Sequence, residues 1–426
     1  MKSRTLSSHF IASLLAILVV AFLTEHAAAQ EKKPVLEKTF IERLEEKPTS
    51  IPLDPNDASR DVRDFRRDPN NNPERDPGPI NIQKTLGGTW NSGIPTFFRL
   101  PVALGPEDLE AGDVEVAFFG APIDISTGQR GTGYGPMAVR MGDIVGGWGE
   151  LPALASGHPV VGDVDWTQVI KAVDYGDAPI DILSQERSVL PVYEMAVEIM
   201  EAGAIPFTVG GDHSLMYPDV AAAAKVYGKG NVAVIHFDAH FDGLSSTLGH
   251  YLSHGSMVRQ LIDEGHVNGE DFYQIGLNSV KPSGKDMKWM RESGLRYTFM
   301  QDVDTRGWKA VMDEILSMVK ASGKEYVFIS VDTDCLDPAY APGMGTPEPG
   351  GLTIRELFPM LRAVTIAHNV IGLEMVEVNP LVDPTYRSRQ VAVRIVRELM
   401  TGMALRKQGI TDPYYVDQDW IHFMKE

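Results

Sequence analysis

The chain has 426 residues, enough for one large α/β domain or two ordinary ones, and its 43% apolar content supports a sizeable core. A formal charge of −19 argues against nucleic acid and anionic membrane surfaces as partners. The single cysteine, Cys335, excludes an intramolecular disulfide.

At the N-terminus Lys2 and Arg4 precede an apolar run over 10–23, and Ala27-x-Ala29 follows it as a cleavage pattern. This predicts a signal peptide over 1–29 and an exported protein, periplasmic or secreted. The run is short of the ~20 apolar residues that span a bilayer, so no membrane association is expected after cleavage. The leader carries no Arg-Arg pair, which speaks against the twin-arginine route. Residues 30–110 then read as an N-terminal extension. "DPNDASRDVRDFRRDPNNNPERDPGP" (54–79) has no period and is dense in Pro, Asn, Asp and Arg. It suits a partly disordered leader or an arm that orders on a neighbouring subunit. Its acids lack the ligand spacing of a calcium loop.

From Val114 short apolar runs alternate with helical stretches. The spacing predicts buried strands over 114–122, 204–213, 232–240, 271–277, 326–334 and 370–378, with helices over 190–203 and 253–265 among them. The expected fold is a three-layer α/β domain over 111–410, with a mostly parallel central sheet, helices on both faces and a tail over 411–426. No repeat of 20–50 residues is present. In such sheets function gathers beyond the carboxyl ends of the strands.

Three of these strands end in candidate metal ligands. "TVGGDHS" supplies Asp212 and His213, "HFDAHFD" supplies Asp238, His240 and Asp242, and "SVDTDCLDP" supplies Asp332 and Asp334. If extended geometry persists, Asp238, His240 and Asp242 point to one side of their strand. One Asp at a strand end is ordinarily a helix cap, and one His ordinarily a satisfied core residue. Three such clusters together point to metal. Four carboxylates, from Asp238, Asp242, Asp332 and Asp334, are neutralised by two divalent cations, with His213 and His240 as neutral ligands. Oxygen and nitrogen donors without thiolate favour Mn²⁺, with Fe²⁺, Co²⁺, Ni²⁺ or Zn²⁺ as alternatives. Paired cations lower the pKa of a shared water, which suits hydrolysis.

"GGDHS" (210–214), "HFDAHFD" (236–242), "SVDTDCLDPAYAPGMGTPEPGGLT" (330–353) and "GLEMVEVNP" (372–380) together resemble the ureohydrolases, the arginases and agmatinases that hydrolyse guanidino groups. "GAPIDISTGQRGTGYGPMAVR" (120–140) and "VDYGD" (173–177) extend the resemblance, which runs in family order from about Val114 to Leu405. The resemblance implies an arginase-like fold and two metals. His213, Asp238, Asp242 and Asp332 would hold one, and Asp238, His240, Asp332 and Asp334 the other. It further implies catalytic roles for Asp242 as proton acceptor, His254 as proton shuttle and Glu377 as partner of the substrate guanidinium. The implied products are urea and an amine, and the implied assembly is a trimer or hexamer. Glu374, on the opposite strand face from Glu377, is expected to be structural, His236 to hydrogen-bond a ligand, and Cys335 to pack. His250 receives no role.

Asn278, Ser279 and Lys281 stand where arginases carry acids for the α-amino group, which lowers arginine as a substrate. The agmatinase-like branch fits better, with agmatine ahead of guanidino acids, for whose carboxylate Arg130 and Lys281 are the conceivable cations. A metallophosphoesterase is disfavoured because its Gly-Asn-His-acid segment is missing. A catalytically silent binding protein is disfavoured because every matched site residue is present.

Overall fold

Eight strands form in this computed structural model, which describes residues 38–46, 75–84, 93–126, 128–142 and 157–419. The strands are β1 (Val116–Ala121), β2 (Ala172–Asp177), β3 (Ile205–Gly210), β4 (Val232–Phe237), β5 (Phe272–Leu277), β6 (Arg296–Phe299), β7 (Tyr326–Asp332) and β8 (Val370–Val376). They form one sheet in the order β2-β1-β3-β8-β7-β4-β5-β6, and every pairing is parallel. The six strands expected from the sequence are present, each ending one to three residues earlier than its apolar run except β5. The edge strands β2 and β6 were not anticipated. Their partial exposure gives them no long apolar run to read.

Both sheet faces are covered, as parallel strands require. Alternation along each strand feeds two cores: Phe118, Phe207, Ile235, Ile329 and Leu373 face one way, Phe119, Val234, Phe272 and Phe328 the other. The first core is closed by α3 (Gly135–Gly142), α8 (Met300–Arg306), α9 (Trp308–Ser322), α10 (Ile354–Ala367) and α11 (Arg387–Lys407), the second by α4 (Gln185–Glu201), α5 (Met216–Tyr227), α6 (Met257–Asp263) and α7 (Gly284–Ser293). Local chemistry sets the helix starts. The Ser184 hydroxyl accepts from the Arg187 amide ahead of α4, and Thr353 and Glu356 form a reciprocal capping box on α10.

The signal peptide expected over 1–29 and the end of the tail lie outside the described residues, as does most of 54–79. The described parts of 30–110 pack on this same chain. Helix α1 (Phe40–Glu46) buries Ile41 and Leu44, helix α2 (Pro106–Ala111) buries Leu109, and Phe97, Phe98 and Ala103 enter the cores. In the tail, Tyr414 packs on Trp308 and under the Lys309 ammonium. Among the described residues no helix is long and apolar enough to cross a membrane.

Candidate active site

Strands β3, β8, β7 and β4 are neighbours in the sheet although far apart in sequence, and their carboxyl ends bring the candidate residues together. His213 follows β3 in a short 3-10 turn, Asp238, His240 and Asp242 follow β4, Asp332 ends β7 with Asp334 in the next turn, and Glu377 follows β8. The β4 residues do not converge through strand alternation, because the strand ends at Phe237. A loop turns them inward instead, with Asp242 at φ 48°. Glu377 has φ 65°. Left-handed backbone at two non-glycine residues is strain of the kind that collects at functional sites.

Two imidazoles organise the acids. His213 Nδ1 lies 2.9 Å from Asp332 Oδ2, 3.1 Å from Asp238 Oδ2 and 3.4 Å from Asp242 Oδ2. His240 Nδ1 lies 2.9 Å from Asp334 Oδ2 and 3.6 Å from Asp238 Oδ1. Each ring turns its other nitrogen outward to a holder. His213 Nε2 meets Ser330 Oγ at 2.9 Å and Glu374 Oε1 at 3.6 Å, and His240 Nε2 meets Glu348 Oε1 at 3.3 Å. Glu348 is in turn held by the Ser279 hydroxyl at 2.6 Å. Such outer contacts fix the tautomer and aim a ligating imidazole.

The donor set fits metal. His213 Nδ1 and Asp238 Oδ2 are fully buried and make no hydrogen bond despite their closeness, so they converge without satisfying each other. Ligand atoms of His213, His236 and Asp238, and likewise of Asp238, His240 and Asp334, lie within 4.8 Å of one another. Burial, with the charges of Asp334 and Asp238 added, pushes the Asp332 carboxyl well above the usual range, and Asp334 is raised by burial and Asp238. These acids ionise together only if cations compensate them. Burial opposes charge on His213 and His240, but their carboxylate neighbours outweigh it and raise both.

Beside this cluster sits a second pair. Glu377 Oε1 accepts from the His213 amide at 3.0 Å and lies 3.2 Å from His254 Nδ1. The His254 amide donates to Ser126 Oγ at 3.1 Å, which anchors its loop. Burial disfavours the imidazolium, yet the adjacent Glu377 carboxylate prevails and holds His254 at about 9. Gly345 makes room for the pair, since a Cβ there would stand 2.0 Å from Glu377 Oε2.

Asp212 is separate from the ligand cluster. Its carboxylate accepts from the Ile125 and Ser126 amides at 3.0 Å each and from Ser214, so it caps a turn and ties two loops together. His236 Nε2 lies 2.8 Å from Asp238 Oδ2, with Gln274 Nε2 3.2 Å from its other ring nitrogen. Cys335 is wholly buried in the core, and His250 is exposed beside Glu186. Sequence reasoning missed Ser330 and Glu348. Ser330 shares strand parity with Asp332 and was findable on that ground, whereas Glu348 arrives on an irregular loop with no periodic signal.

Comparison with known proteins agrees with this geometry. The Arginase family profile matches residues 114–402. The human mitochondrial guanidino acid hydrolase is 32% identical over 312 residues, covering 73% of this chain and 83% of that protein. The Pseudomonas aeruginosa guanidinobutyrase is 30% identical over 324 residues, covering 75% and 96%. A crystal structure of a hypothetical agmatinase from Burkholderia thailandensis superposes with a TM-score of 0.65 at 28% identity, covering 79% of this chain and all of that one. An all-parallel eight-stranded sheet, acid-imidazole clusters on its central strand ends and a family match across most of the chain lead to one conclusion: the protein belongs to the arginase family of ureohydrolases.

Proposed function

We propose that this protein is a binuclear-metal hydrolase that cleaves a guanidino compound to urea and an amine. The observation that carries the reading is the placement of His213 Nδ1 within 3.4 Å of the carboxylates of Asp238, Asp242 and Asp332, with the Glu377–His254 pair alongside. Two Mn²⁺ ions would be held by His213, Asp238, Asp242 and Asp332 and by Asp238, His240, Asp332 and Asp334. When bound, such ions acidify water toward neutral pH.

The chain's own residues do the rest. A guanidinium is planar and resonance-stabilised, so attack needs it held flat and its charge compensated. The Glu377 carboxylate, fixed by the His213 amide, pairs with that cation and orients it. Asp242 accepts the proton of the attacking water. His254, held protonated by Glu377, delivers a proton to the departing amine.

Agmatine is the substrate this arrangement favours. Glu348 brings a half-exposed carboxylate to the mouth beside His240, which suits a cationic tail. Arg130, one of two candidate partners for a substrate carboxylate, is tied to Asp124 through both its carbonyl and its side chain. Lys281 is exposed on the loop after β5, and the names of the human and Pseudomonas relatives keep guanidino acids as the second reading. Export through the signal peptide over 1–29 and assembly into a trimer or hexamer are part of the same proposal. A urea-release panel on Mn²⁺-loaded protein with agmatine, arginine, 4-guanidinobutyrate and 3-guanidinopropionate tests it. Agmatine should give the highest kcat/KM; release of urea from none of them refutes the activity.

A further inference from the structure

Helix α1 lies far ahead of the family-matched span, yet it is clamped to the loop that carries His254. The clamp is Glu264, a carboxylate with no exposed surface at the end of α6. It accepts the Phe40 amide on both oxygens at 3.0 and 3.1 Å, the Tyr217 hydroxyl of α5 at 2.6 Å and the Tyr251 hydroxyl at 2.6 Å, with His266 Nε2 3.2 Å away. A charge this deep needs all of these donors. Burial works against its ionisation, and His266, Tyr217 and Tyr251 still bring it below its usual value.

The contact with Tyr251 goes beyond one hydrogen bond. The Phe40 ring packs on the Tyr251 ring with centroids 5.4 Å apart, and the Arg43 guanidinium lies 5.2 Å from the Tyr251 centroid. Such ring contacts restrain orientation as well as position. Tyr251 opens the turn that presents His254. Its carbonyl accepts from Ser256 Oγ and from Gln260 Nε2, and Ser253 Oγ meets Thr247 Oγ1 at 2.7 Å across the loop. Three residues after Tyr251, His254 meets Glu377. On the opposite rim of this loop Leu248 is 90% exposed, and the exposed His250 side chain meets Glu186.

We propose that α1 is a strap that positions the His254 loop through Glu264 and Tyr251, so that Phe40 and Arg43 are positioning residues for proton delivery. This rests on the role given to His254 above. The strap is supplied by the N-terminal extension, outside the catalytic domain proper.

The test uses the full chain, Mn²⁺-loaded, as wild type, Phe40→Ala/Arg43→Ala, His254→Ala and the combined variant. The strap variant should lose about tenfold or more in kcat with KM and metal content unchanged, as expected when a proton donor is displaced by a fraction of an ångström. In the His254→Ala background it should cost nothing further. Hydrogen exchange of peptides over 244–256 should quicken while exchange in β3, β4, β7 and β8 stays slow. Undiminished kcat in the strap variant overturns the proposal, provided His254→Ala is impaired. Equal losses with and without His254 overturn it too, because they indicate a general structural effect. If His254→Ala keeps full turnover, the role of His254 falls and proton delivery goes with it. Faster loop exchange in the strap variant would then still establish the physical clamp, and unchanged exchange would remove that as well.

Discussion

Two buried polar clusters of this protein have opposite charge balance. Around Glu398, the guanidinia of Arg362 and Arg394 and the ring of His158 surround one carboxylate; Arg394 Nε is 2.6 Å from Oε1, and His158 Nε2 lies 3.0 Å from both oxygens. Burial would raise Glu398, but His158 and Arg362 bring it down to about 2. Burial keeps His158 below its usual value despite that carboxylate, so a neutral ring donates to it. At the strand ends the excess is reversed, with Asp238, Asp332 and Asp334 buried among the imidazoles of His213, His236 and His240 and with Asp242 at the edge. The first cluster is complete within the chain and ties the 157–164 loop to α10 and α11. The second gathers more carboxylates than it has basic partners, a surplus that bound cations would compensate. Buried charge surplus, rather than buried charge as such, separates a binding site from a structural network.

Substitution of Asp238 by Asn should break this contrast most sharply. It removes one of the two acids shared by both proposed ion sites, so metal content by elemental analysis and urea release should both collapse, turnover by about a thousandfold or more. Retained metal in that variant would refute the shared role. Glu377→Gln is expected to keep its metal and lose about a hundredfold or more in kcat, because it removes the charge facing the substrate cation but no proposed ligand. Gly345→Ala should act in the same direction more weakly, by crowding Glu377 Oε2.

Stability should divide along the same line. Glu398→Gln leaves the buried Arg362 and half-buried Arg394 guanidinia without their carboxylate and should cost about 3 kcal/mol in urea unfolding, whether or not Mn²⁺ is present. Chelation of the wild type should lower its melting temperature, since ions that bind only the folded state stabilise it. A melting temperature indifferent to chelator would argue against a loaded site.

The smallest effect is in pH. Glu398 has a depressed folded pKa, so its stabilisation is present above about 4.5 and is lost as pH falls toward about 2. His368, half-buried and near Arg406, is lowered to about 4 chiefly by desolvation, so its contribution begins to fade below about 6.5. His254 has a raised folded pKa. Its pairing with Glu377 is fully stabilising below about 6.5 and is lost as pH rises through about 9. In chelator-treated protein the urea midpoint should therefore fall on both sides of neutrality, and His254→Ala should flatten only the alkaline limb.

Much of the site was legible because its chemistry is local in sequence. An apolar run that ends in Asp-x-His-x-Asp or Asp-x-Asp shows both a strand and the reason to stop it, and β4 and β7 end at Phe237 and Asp332 accordingly. The reading of Asp238, His240 and Asp242 as one strand face was wrong in geometry, because the turn that gathers them depends on Asp242 adopting φ 48°. That conformation is imposed by surroundings, and residue type alone does not announce it. In the sequence, helix α1 is indistinguishable from a leader because its short apolar stripe, Ile41 and Leu44, has meaning only against the body it covers.

By itself, then, the chain's sequence determined the strand-helix alternation, the parallel sheet and the identity of the acids and imidazoles, since these follow from periodicity and from charge that cannot be buried uncompensated. Only the tertiary structure decided that β3, β8, β7 and β4 stand side by side, that Ser330 and Glu348 hold the two imidazoles, and that a helix from residues 40–46 braces the His254 loop. The reason is physical. Strand order and loop docking are set by which surfaces bury one another across long stretches of chain, and no local pattern encodes that choice.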